Sequence, residues 1–252
     1  MAEVLGGKRI IVTGAAQGIG AVLAEGFAGL GARVVLADVA DPEPAAQRVR
    51  DRGGEAVGVK ADVTDFADCE RMVAVAEKAL GGLDGLVNNA ALFATLPIAM
   101  QDEIEPELWD KVMAVNVKGP WLCTRAAVPA MERAGGGSIV MIATNRIFHG
   151  FPGMLHYDAS KGAVLAMTRS LIRELGSRNI RVNTIAPGLT MSEGVLAREG
   201  IEDRAPEIAA GRSLARDQFP EDLVGPCAFF LSDQAGFVTG QSLGVDGGGV
   251  IH

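Results

Sequence analysis

The 252-residue chain contains one tyrosine, Tyr157, placed four residues before Lys161 in a helical pattern. Residues four apart share a helix face. A free tyrosine has a pKa of ~10 and is protonated at neutral pH, and a neighbouring ammonium favours its phenolate. Such a pair can carry a proton to or from an alcohol or carbonyl oxygen. A second chemical signal lies in Thr13-Gly14-Ala15-Ala16-Gln17-Gly18-Ile19-Gly20, which joins a β-branched run to a helical pattern. Glycines at such a turn let the backbone approach a pyrophosphate. The following helix N-terminus offers free N–H groups and a positive dipole end. Gly14, Gln17, Gly18, Ile19 and Gly20 are therefore candidate cofactor-loop residues. Asp38 stands 20 residues beyond Gly18, at the end of the next apolar run. An acid there accepts hydrogen bonds from ribose hydroxyls and repels a 2′-phosphate. No Lys or Arg stands in the loop or directly after Asp38, so NAD is expected over NADP. Asp38 as a mere cap of the helix near Pro42 is the competing reading, and Asp41 suits that role better.

The elements that must position these residues alternate. Strands are expected at 8–13, 33–37, 57–59, 86–87, 138–142, 182–185 and 242–245. Helices are expected at 18–30, 42–52, 65–80, about 106–133, 155–175 and 221–231. Thr64 or Asp65 caps the third helix and Gly81-Gly82 closes it. Gly119-Pro120 marks a bend in the long helix. This alternation predicts an α/β fold, a Rossmann-type doubly wound parallel sheet of about seven strands with helices on both faces. Residues 1–252 read as a single domain. The irregular stretch 187–213 reads as a lid or substrate loop.

Composition excludes other classes. Hydrophobic residues make up 48%, ample for a large core, so global disorder is excluded. The net charge of −8 disfavours nucleic-acid binding. Cys69, Cys123 and Cys227 form no metal-binding or disulfide framework, which fits a reducing compartment. No signal-peptide pattern and no membrane-spanning run is present, so a cytoplasmic location is expected. His149 and His156 lack a partner at ligand spacing, so no metal is expected, and His252 reads as structural.

The chain resembles the short-chain dehydrogenase/reductase family along nearly its whole length. The resemblance rests on Thr13-Gly14 with Gly18-Ile19-Gly20, Asp62-Val63, Asn88-Asn89-Ala90-Ala91, Asn116, Tyr157-Asp158-Ala159-Ser160-Lys161, Asn183, Pro187-Gly188 and Val245-Asp246-Gly247-Gly248. It implies that Tyr157 is the acid/base, that Lys161 lowers the Tyr157 pKa and binds the nicotinamide ribose, and that Asn116 holds a relay water. The substrate-orienting position, thirteen residues before the tyrosine, is Thr144 in place of the family's Ser. Threonine keeps the hydroxyl, while its methyl stiffens χ1 and narrows the pocket. Asp62 and Val63 would hold the adenine, Asn89, Ala90 and Ala91 would line the ribose side, and Pro187, Gly188, Thr190 and Ser192 would meet the nicotinamide. Ala91 stands where the family usually has Gly, which is tolerable if its φ is negative. The resemblance also implies a homotetramer. The segments around Thr144 and the C-terminal tail look most like members that oxidise ring-bearing alcohols such as pyridoxal and 1-phenylethanol.

On the substrate side, Leu92, Phe93, Ile147, Phe148, Phe151, Leu155, Leu189, Met191, Val195 and Leu196 lie where ligands bind in open α/β sheets, about half of them as core. Arg146 and His149 add polarity; Arg146 is a solvated loop residue or pairs with an acidic substrate group. The expectation is an NAD-dependent oxidoreductase that interconverts a small-molecule alcohol and its carbonyl compound. A non-catalytic NAD(H)-binding redox sensor is the alternative, although it predicts loss of the Tyr/Lys/Asn set. A nucleotide-sugar epimerase would resemble a longer chain with a different glycine loop.

Overall fold

The computed structural model describes residues 3–250; His252 lies outside them. Seven parallel strands form one sheet in the order β3-β2-β1-β4-β5-β6-β7. They are β1 Arg9–Thr13, β2 Arg33–Asp38, β3 Glu55–Lys60, β4 Gly85–Asn88, β5 Gly137–Ile142, β6 Ile180–Pro187 and β7 Ser242–Val245. The strands read as continuous apolar runs because both faces are buried. In β1, Ile11 packs with one core cluster while Ile10 and Val12 pack with the other. In β5, Ile139 and Met141 face the first and Val140 the second. The pleat alone sends neighbours to opposite sides.

The first core is closed by α3 (Phe66–Leu80), α5 (Gly119–Arg133) and α7 (Leu155–Leu175), and the second by α1 (Gly18–Gly29), α2 (Glu43–Asp51) and α10 (Val224–Leu231). Asp65 caps α3, accepting from the Ala67 N–H at 2.9 Å, and Gly81 ends it in the left-handed conformation. Asp41, not Asp38, accepts from the first turn of α2, at Glu43 N–H. The strand order reverses between β1 and β4, and a crevice opens there at the carboxyl ends of the strands, where open α/β sheets bind ligands.

Two expectations needed correction. The long helix is α4 (Pro106–Met113) and α5 joined by a π-turn at Ala114–Lys118, so the irregularity precedes Gly119-Pro120. Pro120 has no N–H to give to the Asn116 carbonyl, and the helix widens in the turn before it. The stretch 187–213 is not irregular throughout: it holds α8 (Glu193–Leu196) and α9 (Ile201–Ala210). Pro206 inside α9 disguised the second helix. A further short helix, α6 (Arg146–His149), precedes α7. Among the described residues no helix is long and apolar enough to cross a membrane.

Candidate active site

A cavity of about 1160 Å³ runs from the glycine loop to α8 and α9. At one end the β1–α1 turn supplies an anion cradle. Gly20 packs so closely that a Cβ there would lie 2.1 Å from the Gly14 carbonyl oxygen. Gly18 takes φ +59°, and an added Cβ would face Ser192 across the cavity at 3.6 Å. Gln17 gives α1 no side-chain cap, and no acid stands in its first turn. The N–H groups of that turn are therefore free for an anion. Asn89 ties the cradle to β4 by donating to the Thr13 and Gly14 carbonyls at 2.9 and 3.0 Å. Thr13 Oγ1 accepts from the Asn89 and Ala90 N–H groups. Among the described residues only Asn179 outside the glycines has positive φ, so Ala91 sits without strain.

The carboxylate of Asp38 accepts from the Ala16 and Ala40 N–H groups, both at 2.9 Å. It thereby braces the loop, and each oxygen keeps a second acceptor position. Asp62 Oδ1 accepts from the Thr64 N–H and hydroxyl at 2.8 Å, which leaves Oδ2 for another donor. Ile19, Val63, Ala90, Ala91, Pro187, Gly188, Thr190 and Ser192 all line the same cavity. A cradle closed to side chains, an uncapped helix and an acid at the end of β2 together fit a dinucleotide.

At the other end, Tyr157 and Lys161 share one face of α7, and both are buried. The Tyr157 side chain and Thr144, two residues beyond β5, line the same cavity, and the Thr144 hydroxyl is near enough to favour the phenolate. Lys161 Nζ donates to the Ile142 carbonyl at 2.7 Å and lies 5.8 Å from the Tyr157 ring centroid. Asn116 lines no open space: its Oδ1 accepts from Leu92 N–H at 2.8 Å, and its Nδ2 donates to Leu92 O and Ser160 Oγ. Its side chain therefore clamps the β4–α4 loop onto α7.

The expected lowering of the Tyr157 pKa by Lys161 is not what this site shows. Burial pushes the phenol up, the neighbouring Thr144 hydroxyl pulls against it, Asp158 raises it and Arg146 lowers it. Lys161 is spent on the Ile142 carbonyl, and burial without a carboxylate partner pulls its own pKa down to about 8. The unfolded chain thus binds the Lys161 proton more tightly than the folded one does. Stability tied to this residue is present above its unfolded pKa, falls with pH through the window from 10.5 to about 8, and is lost below it. The expected result is that wild-type protein gains stability relative to Lys161→Met as pH rises from 7 to 10. Urea midpoints of the two proteins at each pH measure it, and a pH-independent difference would show that Lys161 keeps an ordinary pKa.

Arg146 lines the cavity half-buried and is held within the chain rather than solvated. It forms a bidentate pair with Asp158 at 2.9 and 3.1 Å and reaches the carbonyls of Phe151 and Pro152. His149 lines the cavity and stacks on Phe151 with centroids 4.5 Å apart. Of the ten expected apolar residues, Leu92, Phe93, Phe151, Leu189 and Val195 line the cavity. Sequence reasoning missed Ile98, Arg198, Ile201, Arg204, Ile208 and Arg212, which also line it. Ile201, Arg204 and Ile208 recur at three and four residues, a helical spacing that was readable once Pro206 was discounted. Among the described residues no cluster of metal ligands exists.

Residues 14–249 match a family model described as enoyl-(acyl carrier protein) reductase. The chain is 37% identical over 249 residues to human dehydrogenase/reductase SDR family member 4, covering 97% of this chain and 88% of that one. It belongs to the short-chain dehydrogenase/reductase family. This dehydrogenase/reductase is also 36% identical to 2-(S)-hydroxypropyl-CoM dehydrogenase 3 of Xanthobacter autotrophicus, with 98% of each chain covered. A crystal structure from Beutenbergia cavernae, assigned as an NAD(P)-dependent gluconate 5-dehydrogenase and holding NADP at low occupancy, superposes with a TM-score of 0.89 at 38% identity, again over 98% of each chain. The fold and the oxidoreductase class are therefore those of this family.

Proposed function

We propose that the protein interconverts an alcohol and its carbonyl compound with NAD as the hydride carrier. The observation that carries the reading is that Tyr157, Thr144 and Lys161 line the same cavity as an uncapped, glycine-lined helix N-terminus. A nicotinamide held there would supply the hydride acceptor for the carbinol carbon, or the hydride donor for the carbonyl carbon. Tyr157 holds the substrate oxygen and takes or gives its proton, and Thr144 donates to that oxygen. Lys161, beside the tyrosine, would turn from the Ile142 carbonyl toward the ribose. Asn116 positions Leu92 and α7. A relay water would meet its main-chain carbonyl, which Pro120 leaves without an α-helical donor. The proposal takes residues 1–252 as one domain, with 187–213 as its lid, acting in the cytoplasm without a metal. It also takes the protein as a homotetramer. Exposed apolar side chains on α5 (Trp121), α10 (Phe229) and β7 (Leu243), together with Phe237, support that reading, and light scattering tests it.

The preference for NAD rests on Asp38 and on uncharged Val39 and Ala40 after it. Asp38→Ala with Val39→Arg is expected to shift kcat/KM from NAD toward NADP by at least about tenfold, the loss of one charge repulsion and gain of one charged contact. A screen of primary, secondary and ring-bearing alcohols by NADH absorbance provides the substrate for this comparison. Better use of NADP by the unaltered enzyme would overturn the NAD assignment. Tight NAD binding without turnover of any alcohol would favour the sensor reading.

A further inference from the structure

The substrate half of the cavity is cationic, although the chain carries a net charge of −8. Arg198 sits in the turn between α8 and α9. It donates to the carbonyls of Phe93 and Leu96 at 3.2 and 3.1 Å, and its guanidinium lies 5.5 Å from the Phe93 ring centroid. The Phe93 ring is in turn 4.8 Å from that of Tyr157. One aromatic ring therefore separates Arg198 from the proton carrier. A guanidinium has five N–H donors, and the two carbonyls leave most of them free. No carboxylate pairs with Arg198 among the described residues.

Arg204 stands on the face of α9 that lines the cavity, is exposed, and has no hydrogen bond or ion pair with any described residue. The carboxylates nearby do not neutralise this group. Asp158 is consumed by Arg146, and Glu207, the lining acid on the lid, pairs with neither arginine. Burial and the fields of Arg204 and Arg146 together hold the Arg198 pKa below its usual value. Converging like charges at the wall of a cavity raise the local concentration of anions and speed their entry.

Taking the alcohol/carbonyl reading above as its basis, the geometry points to a substrate that carries an oxyanion, a carboxylate or sulfonate, several bonds from the carbinol carbon and held by Arg204 with Arg198. The oxyanion takes no part in the chemistry: the hydride leaves the carbinol carbon, the proton goes to Tyr157, and the charged end sets position. Arg198, fastened to the β4–α4 loop, offers a fixed cation, while Arg204 offers an unpaired one from α9.

The test compares 4-hydroxypentanoate and 5-hydroxyhexanoate with their methyl esters, which differ by one charge. The acid is expected to exceed its ester in kcat/KM by about tenfold or more for at least one chain length, the size of one charge-assisted contact. Added NaCl should erode that ratio. Arg204→Gln should bring the ratio toward one through KM for the acid, and Arg204→Lys should restore part of it. Calorimetric titration of the NADH-loaded protein with 4-oxopentanoate, 5-oxohexanoate and their methyl esters separates this proposal from the functional reading. Keto acids that bind more tightly than esters, with Arg204→Gln abolishing the difference, uphold the oxyanion site even if no alcohol turns over. Turnover of neutral alcohols with no preference for acids, or equal binding of acids and esters, overturns it and leaves the dehydrogenase reading intact.

Discussion

Tyr157→Phe is expected to lower kcat by at least about 10²–10⁴-fold, the usual contribution of a positioned acid/base, while NAD(H) binding stays nearly intact. The variant removes only an oxygen. The ring keeps its packing against Phe93, Leu96, Val112 and Met154, and the cofactor cradle lies at the other end of the cavity. Burial raises the phenol pKa in the protein alone, so the resting hydroxyl is a proton donor. Carbonyl reduction therefore starts from the correct protonation state. Alcohol oxidation needs the phenolate, so its rate should rise with pH over a range where reduction is flat or falling. Steady-state kinetics in both directions from pH 6 to pH 10, with fluorescence titration of NADH, measures both effects. Residual activity above about a tenth of normal in Tyr157→Phe would assign the proton to another group.

Thr144→Val is expected to lose rate nearly as severely. The two side chains have almost the same shape, and only the hydroxyl is lost. Removing one donor aimed at a developing oxyanion costs about 2.7–4 kcal/mol. Thr144 is buried two residues beyond β5, lines the cavity with Tyr157, and its Oγ1 accepts from the Arg146 N–H at 3.3 Å. That contact fixes the rotamer, so the hydroxyl has one direction to serve. Thr95, a hydroxyl on the β4–α4 loop, is exposed and does not line the cavity. Thr144→Ser keeps the donor and removes a methyl, so it should retain substantial activity and accept bulkier alcohols. Measuring kcat for both variants on the best alcohol decides the matter; equal, near-normal rates would remove Thr144 from the site.

The parts of this protein written in its sequence are those set by local spacing. The order of strands and helices followed from apolar runs and caps such as Asp65 and Gly81, whose effects reach only a turn or two. The glycine loop was legible because close approach at Gly20 and left-handed backbone at Gly18 demand glycine whatever surrounds them. Tyr157 and Lys161 were legible because four residues on a helix place them on one face. What only the tertiary structure decided depends on sums over distant elements. The pairing of Arg146 with Asp158 needs the α6 turn folded back on α7. The direction of the Tyr157 pKa reverses the expectation, because burial by the β4–α4 loop and α7 outweighs a lysine engaged elsewhere. The meeting of Arg198 with Phe93 brings together residues 105 apart in the chain. No local period encodes such a contact; it exists because the α8–α9 turn and the β4–α4 loop meet at one end of the same sheet.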